Sequence, residues 1–247
     1  MKPFIIPVQW NEKTMHADLS EGHCIAIPLD HNRPQPNAYF APLYEASPHR
    51  VDGWVGDTQQ GASINFFNIR INPHGNGTHT ECVGHISTER HSIHRALGAG
   101  RWVAQLISVY PVLQNSGDRV IDQLEWEPGI EAIIIRTLPN HPDKMARQYG
   151  KTNPPYLDFE IALKMFDQGI THLLLDLPSV DREEDGGALA AHKAFWQYPE
   201  NPRLNATITE MIYVDNMISD GLYLLEIQIP AIELDAVPSR PYIYALK

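Results

Sequence analysis

The chain has 247 residues, of which 43% are hydrophobic, and its 19 basic and 30 acidic side chains give a formal net charge of −11. This acidic balance argues against nucleic-acid binding, which requires a basic surface. The apolar stretches are far shorter than the ~20 residues that span a bilayer, no signal-peptide cleavage motif is apparent, and two cysteines exclude a disulfide framework. The sequence therefore predicts a soluble, cytoplasmic, globular protein without nucleic-acid or membrane partners.

The order of hydrophobic runs predicts many strands and few helices. Residues 29–60 are rich in Pro, Asn, Asp and Gly and are predicted to form a long functional loop or lid. Alternating or β-branched runs predict strands, and these cover 63–72, 102–112, 130–137, 170–177, 206–212, 222–229 and 241–246.

Two helices are predicted, over 158–168 and 188–197. The first has Asp158 as a capping residue and Gly169 as a terminator. Its predicted buried stripe consists of Phe159, Ala162, Leu163 and Phe166. Strands mixed with few helices predict an α/β domain with a mixed sheet, and residues 1–247 show no composition break that would divide it.

The histidines are concentrated, since five of the twelve lie between residues 74 and 94. In an extended chain alternate side chains share a face, so His79, Glu81 and His85 are predicted to point the same way. His74 precedes them by one turn-like segment and can fold back. Imidazoles with a carboxylate suit Zn²⁺ or Mn²⁺. The alternative is a surface loop whose histidines are unrelated.

The run Gly77-Thr78-His79-x-Glu81-x-x-x-His85, with His74 ahead of it, resembles a family signature. That signature is the H-x-G-T-H-x-D-x-P-x-H motif of the cyclase family of metal-dependent hydrolases, which includes bacterial kynurenine formamidases. Further segments resemble family motifs in the same order, and these are His16-Ala-Asp18-Leu-Ser20, Leu175–Asp181, His192, Ile208-Thr209-Glu210 and Val237–Pro241.

The resemblance implies a fold, a ligand set and an assembly. The fold is a mixed, barrel-like β-sheet flanked by helices. The implied ligands of one or two Zn²⁺ or Mn²⁺ ions are His74, His79, Glu81, His192 and Glu210. His85 is implied to be the catalytic acid/base, and the chain is expected to form a homodimer or a larger homo-oligomer.

Three departures from the signature bear on the number of ions. One extra residue separates His74 from the Gly-Thr-His segment, Glu81 stands in place of aspartate, and Val83 in place of proline. A longer carboxylate side chain at the bridging position leaves open whether the site holds one ion or two.

The activity implied by the resemblance is hydrolysis of an amide, cyclic amide or lactone bond in a small-molecule substrate by a metal-activated hydroxide. Conversion of N-formyl-L-kynurenine to L-kynurenine and formate is its best-known example. An isatin hydrolase-like activity on another cyclic amide is an alternative. A second alternative is a family member that binds a metal or ligand without catalysis.

Other residues of reactive type have competing interpretations. His91 and His94 either contact substrate or lie in a solvated loop, and the loop is favoured. Cys82 alternates with Glu81 and is predicted to be a buried structural thiol. Asp176 either orients a metal-bound imidazole or caps a loop through Ser179.

Two loop segments near these motifs also have two interpretations. The acidic run 183–187 lacks the alternating oxygen ligands of a calcium loop and is predicted to be a solvated turn. The early aromatic residues either rim the substrate pocket or pack ordinarily, and these are Tyr39, Phe40, Tyr44 and Trp54.

Overall fold

The computed structural model describes residues 2–247. Its strands, numbered in chain order, are Ile5–Trp10 (β1), Lys13–Asp18 (β2), His23–Cys24 (β3), Glu45–Pro48 (β4), Arg50–Val51 (β5), Trp54–Val55 (β6), Phe67–Arg70 (β7), His79–Cys82 (β8), Trp102–Val109 (β9), Val112–Leu113 (β10), Arg119–Ile121 (β11), Ala132–Thr137 (β12), Tyr156–Leu157 (β13), His172–Leu175 (β14), Thr207–Glu210 (β15), Gly221–Gln228 (β16), Ala236–Pro238 (β17) and Arg240–Ala245 (β18). The α-helices are Ile93–Ala96 (α1), Phe159–Asp167 (α2) and Ala190–Trp196 (α3), and 3₁₀ turns cover Thr58–Gln60, Val83–His85 and Pro142–Ala146.

A nine-stranded mixed sheet organises the molecule, in the order β17-β8-β15-β14-β12-β9-β16-β18-β3. Its centre is parallel, because β15, β14, β12 and β9 run in the same direction, while the flanking pairs are antiparallel. Strand β12 is buried along its whole length, as expected for a central strand covered on both faces. The predicted mixed, barrel-like sheet with few helices is confirmed.

Each face of this sheet packs its own hydrophobic core. Ile133 and Ile135 of β12 pack on the face that α2 and α3 cover. Ala132 and Ile134 alternate with them and pack on the opposite face with Cys82. The sheet therefore holds β8, which lies between β17 and β15 next to its edge, against a centre that is packed on both faces. No helix formed by residues 2–247 combines the length and apolarity needed to cross a membrane.

Most predicted strands form close to their predicted bounds, but the prediction for 63–72 is wrong at both ends. Only Phe67–Arg70 is a strand, and it pairs with Glu45–Pro48 inside the predicted loop region. The two strands form a ribbon whose β7 residues are all exposed, so the alternating pattern there does not mark a face of the main core.

Helix α2 begins and ends as predicted, but its buried stripe differs. The Asp158 carboxylate accepts a hydrogen bond from the backbone N–H of Glu160 at 2.8 Å, and Gly169 follows with a positive φ of 78°. The predicted stripe is wrong in phase, since Phe159 and Leu163 are exposed. The buried residues are Ile161, Ala162 and Met165, because the helix is rotated toward α3.

His172 at the start of β14 is a buried histidine with a structural role. Its ring lies 4.0 Å from that of Trp102, and its Nδ1 lies 2.8 Å from the Thr207 hydroxyl. Burial, aided by the charge of Arg203, lowers the pKa of His172 to about 3. This imidazole is therefore neutral in the folded protein at neutral pH.

We expect His172 to make the fold sensitive to acid. Because its folded pKa lies below the unfolded value of 6.5, the unfolded chain takes up the proton first, and the free energy of unfolding decreases from pH 6.5 downward. At ~1.4 kcal/mol per pKa unit, the wild type should lose about 2 kcal/mol more than His172→Asn between pH 6.5 and 5. Denaturant unfolding of both proteins at the two pH values measures this difference, and identical pH dependence would contradict it.

Candidate metal centre

The centre is built where β8 and β15 lie side by side. His79, at the start of β8, is paired with Glu210, at the end of β15. This position is the carboxyl edge of the parallel strands, where open α/β sheets commonly place their ligands. Side chains of β8 alternate, so His79 and Glu81 point toward the α3 face, while Thr80 bonds Thr209 on the other face.

His79, Glu81 and Glu210 form the buried part of the centre. One donor atom from each lies within 4.8 Å of the other two. His79 Nε2 is 3.3 Å from Glu210 Oε2, and His79 Nδ1 is oriented by the carbonyl oxygen of Gly77 at 3.0 Å. The other Glu210 oxygen accepts a hydrogen bond from the backbone N–H of Val180 at 3.1 Å.

His74 and His85 lie on the open side of Glu81. His74 Nδ1 is 3.2 Å and His85 Nδ1 is 3.8 Å from Glu81 Oε2, and these three residues also satisfy the geometry of a metal-binding group. Asp235 contacts both imidazoles, at 2.8 Å from His74 Nε2 and 3.6 Å from His85 Nδ1. The prediction of one continuous extended face is wrong for His85, which reaches the cluster through the 3₁₀ turn after β8.

His192 on α3 closes the cluster from the helix side. Its Nε2 lies 3.2 Å from Glu81 Oε1, and its Nδ1 lies 2.6 Å from Asp181 Oδ2. Asp181 also accepts the backbone N–H groups of Ala191 and His192 at the start of α3. The same carboxylate therefore fixes both the helix and the orientation of the imidazole.

The electrostatics of the centre are dominated by buried carboxylates. Burial alone would raise the pKa of Glu81, but the neighbouring His85, His192 and His74 hold it well below its usual range. Burial would likewise lower the pKa of His192, yet Asp181 and Glu81 raise it to about 10. The cluster is thus a concentration of negative charge that positive charge must balance.

The donor atoms fit a divalent metal ion. His79 Nε2 and Glu81 Oε2 are buried without a hydrogen-bond partner, which is costly unless another group occupies the space between them. Imidazole nitrogens with carboxylate oxygens are the donor set of Zn²⁺ or Mn²⁺ sites. His79, Glu81 and Glu210 would hold such an ion, with His192 and His74 adjoining Glu81.

A cavity of about 400 Å³ opens onto the centre. Its lining includes His74, His85, His192 and Glu210 from the cluster. Tyr39 also lines it and donates a hydrogen bond to the carbonyl oxygen of Pro178 at 3.2 Å. The volume is sufficient for a small aromatic molecule.

Strained backbone surrounds this cavity. Tyr39, Leu189 and Met211 have positive φ values of 55°, 50° and 51°, a conformation that is uncommon outside glycine. Leu189 precedes α3, and Met211 directly follows Glu210. Such strain clusters at functional sites, where the surrounding structure enforces it.

The structure brings all six predicted site residues into one cluster, despite the extra residue after His74. His91 and His94 lie outside the lining of the cavity, so neither is placed to contact a ligand there. The solvated-loop interpretation is wrong for His94, which is exposed but belongs to α1, and His91 is only partly exposed. Cys82 is buried on the opposite face, as predicted. Neither interpretation of Asp176 is correct, because its carboxylate binds Thr137 and the ammonium of Lys144 at 2.7 Å.

The sequence analysis does not identify two residues of the site, Asp181 and Asp235. Asp181 ends the segment Leu175–Asp181 that resembles a family motif, but nothing in the sequence assigns it a contact with His192. Asp235 lies 161 residues from His74 in the chain, and no local pattern marks it. Of the four aromatic residues predicted either to rim the pocket or to pack ordinarily, Tyr39 lines the cavity, whereas Phe40, Tyr44 and Trp54 do not.

Because Asp181 orients His192, we expect Asp181→Asn to impair the centre without removing any proposed ligand. Loss of such an outer partner typically lowers metal affinity or activity by roughly 10–100-fold. Asp158→Asn is the matched control, since Asp158 also accepts a helix-terminal N–H but touches no histidine. Metal titration of both variants measures the effect, and equal affinities would contradict it.

Two solved structures illustrate the similarity of the fold. A protein from Bacillus stearothermophilus described as a predicted metal-dependent hydrolase matches with a TM-score of 0.59 and 13% identity, over 91% of this chain and 98% of that chain. An isatin hydrolase bound to the product analogue thioisatinate matches with a TM-score of 0.63 and 14% identity, over 92% and 93% of the two chains. At these identities the likeness establishes the fold.

Residues 25–182 match the family model described as "Putative cyclase". The chain therefore belongs to the Cyclase family. A kynurenine formamidase from Bacillus cytotoxicus is 27% identical over 214 residues, which cover 80% of this chain and 93% of the relative. The kynurenine formamidase of Bacillus mycoides is 24% identical over 207 residues, covering 77% and 90%. These relatives support a hydrolase.

Proposed function

We propose that the protein is a metal-dependent arylformamidase that hydrolyses N-formyl-L-kynurenine to L-kynurenine and formate. The observation that carries this proposal is the buried His79–Glu81–Glu210 group, in which His79 Nε2 and Glu81 Oε2 have no hydrogen-bond partner. Glu210 of this group also lines a cavity of about 400 Å³, which is large enough for the substrate. The kynurenine formamidases that resemble this chain support the substrate.

The ion would supply Lewis acidity that polarises the substrate carbonyl and lowers the pKa of water. Around it, the chain contributes orientation and proton transfer. Asp181 holds the ring of His192, and Gly77 holds that of His79. His85 is the most exposed imidazole of the cluster and borders the cavity, so it is placed to move a proton to the leaving nitrogen.

The proposal is tested by loading purified protein with Zn²⁺ or Mn²⁺, measuring bound metal, and assaying release of formate from N-formyl-L-kynurenine and formanilide. We expect one or two ions per chain and metal-dependent hydrolysis of the formyl amides. Bound metal without hydrolysis of any substrate would instead identify a non-catalytic binding protein. Absence of bound metal would contradict the site itself.

A cyclic-amide hydrolase is the second candidate, favoured by the shared fold with isatin hydrolase over 92% of the chain. Both reactions require a polarised carbonyl and a proton donor for the leaving nitrogen. Adding isatin to the same assay distinguishes them. Turnover of isatin alone would replace the first candidate with the second.

We also propose that the protein is a homo-oligomer, most simply a dimer. The support is the arm, defined as residues 43–71, which contains β4 to β7. Its apolar side chains are exposed, among them Ile64 (56%), Phe66 (55%) and Ile69 (65%). A two-stranded ribbon is only marginally stable alone, and apolar patches of this kind are typical of interfaces.

On this basis Ile69→Asp is expected to dissociate the oligomer, because the new charge would be buried against a second copy. Light scattering coupled to gel filtration should give the mass of a monomer for this variant and a multiple of it for the wild type. Met217→Asp is the control, since Met217 is 90% exposed and lies outside the arm. A monomeric wild type at micromolar concentration would contradict the proposal.

A further inference from the structure

The wall of the cavity carries a positive charge beside the metal centre. Arg182 lines the cavity, and Glu183 and Asp185 lie next to it on the same wall. Apart from histidines, Arg182 is the one basic residue in this lining within the described part of the chain. Neither the proposed ligand set nor the proposed acid/base step uses it.

Hydrogen bonds to Asp118 and Glu184 fix the position of the Arg182 guanidinium. Its Nε donates to Asp118 Oδ1 at 3.2 Å, and its Nη1 donates to the carbonyl oxygen of Glu184 at 3.0 Å. Asp118 is itself buried and is anchored by Asn153 Nδ2 at 2.8 Å and by Ser116 Oγ at 3.0 Å. The orientation of the arginine is therefore set before any ligand binds, which reduces the cost of binding.

Part of the guanidinium remains available to a ligand. A guanidinium has five N–H donors, and Arg182 Nη2 forms no hydrogen bond to any of residues 2–247. The adjacent carboxylates do not occupy it. Glu183 accepts the backbone N–H groups of Lys151 and Asn153, and Asp185 accepts those of two residues further along its own turn.

We propose that Arg182 recognises a carboxylate of the substrate at a distance from the scissile amide, and so determines specificity. This inference rests on the proposed function and adds to it the residue that recognises the substrate carboxylate. Arginine pairs with carboxylates through charge-assisted, geometrically fixed hydrogen bonds. The negative charges of Glu183 and Asp185 disfavour a simple anion and favour one that also carries an ammonium group. The class of ligand selected is therefore an amide with an α-amino acid group.

Binding of a product separates this recognition from catalysis. Calorimetry on the metal-loaded protein compares L-kynurenine with L-kynurenine amide, which lacks only the carboxylate charge. We expect the wild type to bind L-kynurenine about 10–100-fold more tightly than L-kynurenine amide. This ratio corresponds to the contribution of a hydrogen bond between charged groups. Arg182→Gln should reduce this preference to within about threefold, whereas Arg182→Lys should keep part of it.

The control is Arg95→Gln. Arg95 is also paired with a carboxylate, that of Glu233, but lies outside the cavity of the metal centre, so its replacement should keep the full preference. A preference that persists in Arg182→Gln, its absence from the wild type, or a lack of binding by both ligands would overturn the proposal. Thermal unfolding of each variant verifies that it is folded.

Hydrolysis of formanilide, which has no carboxylate, tests the proposed function separately. Turnover of formanilide by a wild type without preference for the acid would overturn the role of Arg182 and leave the hydrolase intact. A preference for the acid that depends on Arg182, without turnover of any formyl amide, would support the recognition site and overturn the arylformamidase.

Discussion

Glu81→Gln is expected to empty the metal centre and abolish hydrolysis together. Glu81 is fully buried and lies within 3.2 Å of both His74 and His192. It also belongs to both groups of residues with metal-binding geometry. The amide keeps the volume of the side chain but removes the charge that the ion would neutralise, so both groups lose their shared ligand at once.

The size of the effect distinguishes a ligand from an outer partner. We expect bound metal to fall from one or two ions per chain to near zero, and turnover to fall by more than the roughly 10–100-fold predicted for Asp181→Asn. Elemental analysis after dialysis and formate release measure the two quantities. The surface variant Glu233→Gln should change neither, because its carboxylate pairs with Arg95 away from the cluster.

Glu81→Gln could fail to fold, because the buried His192 loses its charged partner in this variant. A second variant keeps the prediction testable in that case. Glu81→Asp restores the aspartate of the signature that the sequence resembles and retains the charge. It is expected to bind metal and to hydrolyse substrate. Metal-replete Glu81→Gln, or metal-free but folded Glu81→Asp, would contradict the assignment of Glu81 as the central ligand.

His85→Asn is expected to lower turnover while the metal stays bound. His85 is the outermost imidazole, 3.8 Å from the Glu81 carboxylate, whereas His79 is fully buried beside Glu210. Imidazole is the side chain best suited to proton transfer in both directions near neutral pH. General acid/base catalysis contributes roughly 10²–10⁴-fold to the rate, and the loss should have that size.

Metal content decides between two roles for His85, because the geometry also admits it as a ligand with His74 and Glu81. His79→Ala provides the comparison, since it should lose metal and activity together. If His85→Asn loses its metal as His79→Ala does, His85 is a ligand and the proposed proton transfer is wrong. If neither metal nor turnover changes, the reaction occurs elsewhere.

Local patterns in the sequence determine much of the architecture. The β-branched run before Thr137 forms a central strand, and Asp158 caps a helix, because both depend on neighbours a few residues away. The proximity of His74 and His85 is predictable in the same way, because they lie close together in the chain. Glu210 and His192 are predicted as site residues only from the resemblance to a family. That resemblance indicates which distant residues share a site, whereas the spacing of residues does not.

Only the tertiary structure determines which residues, distant in the chain, lie at the metal centre and its cavity. Asp235 contacts His74 across 161 positions, and Arg182 is held by Asp118 across 64 positions. The phase of α2 and the exposed arm were likewise mispredicted, because a hydrophobic pattern does not identify the surface that will cover it. Periodicity and capping are properties of neighbouring residues, whereas these contacts depend on strand order and on the rotation of helices against the sheet.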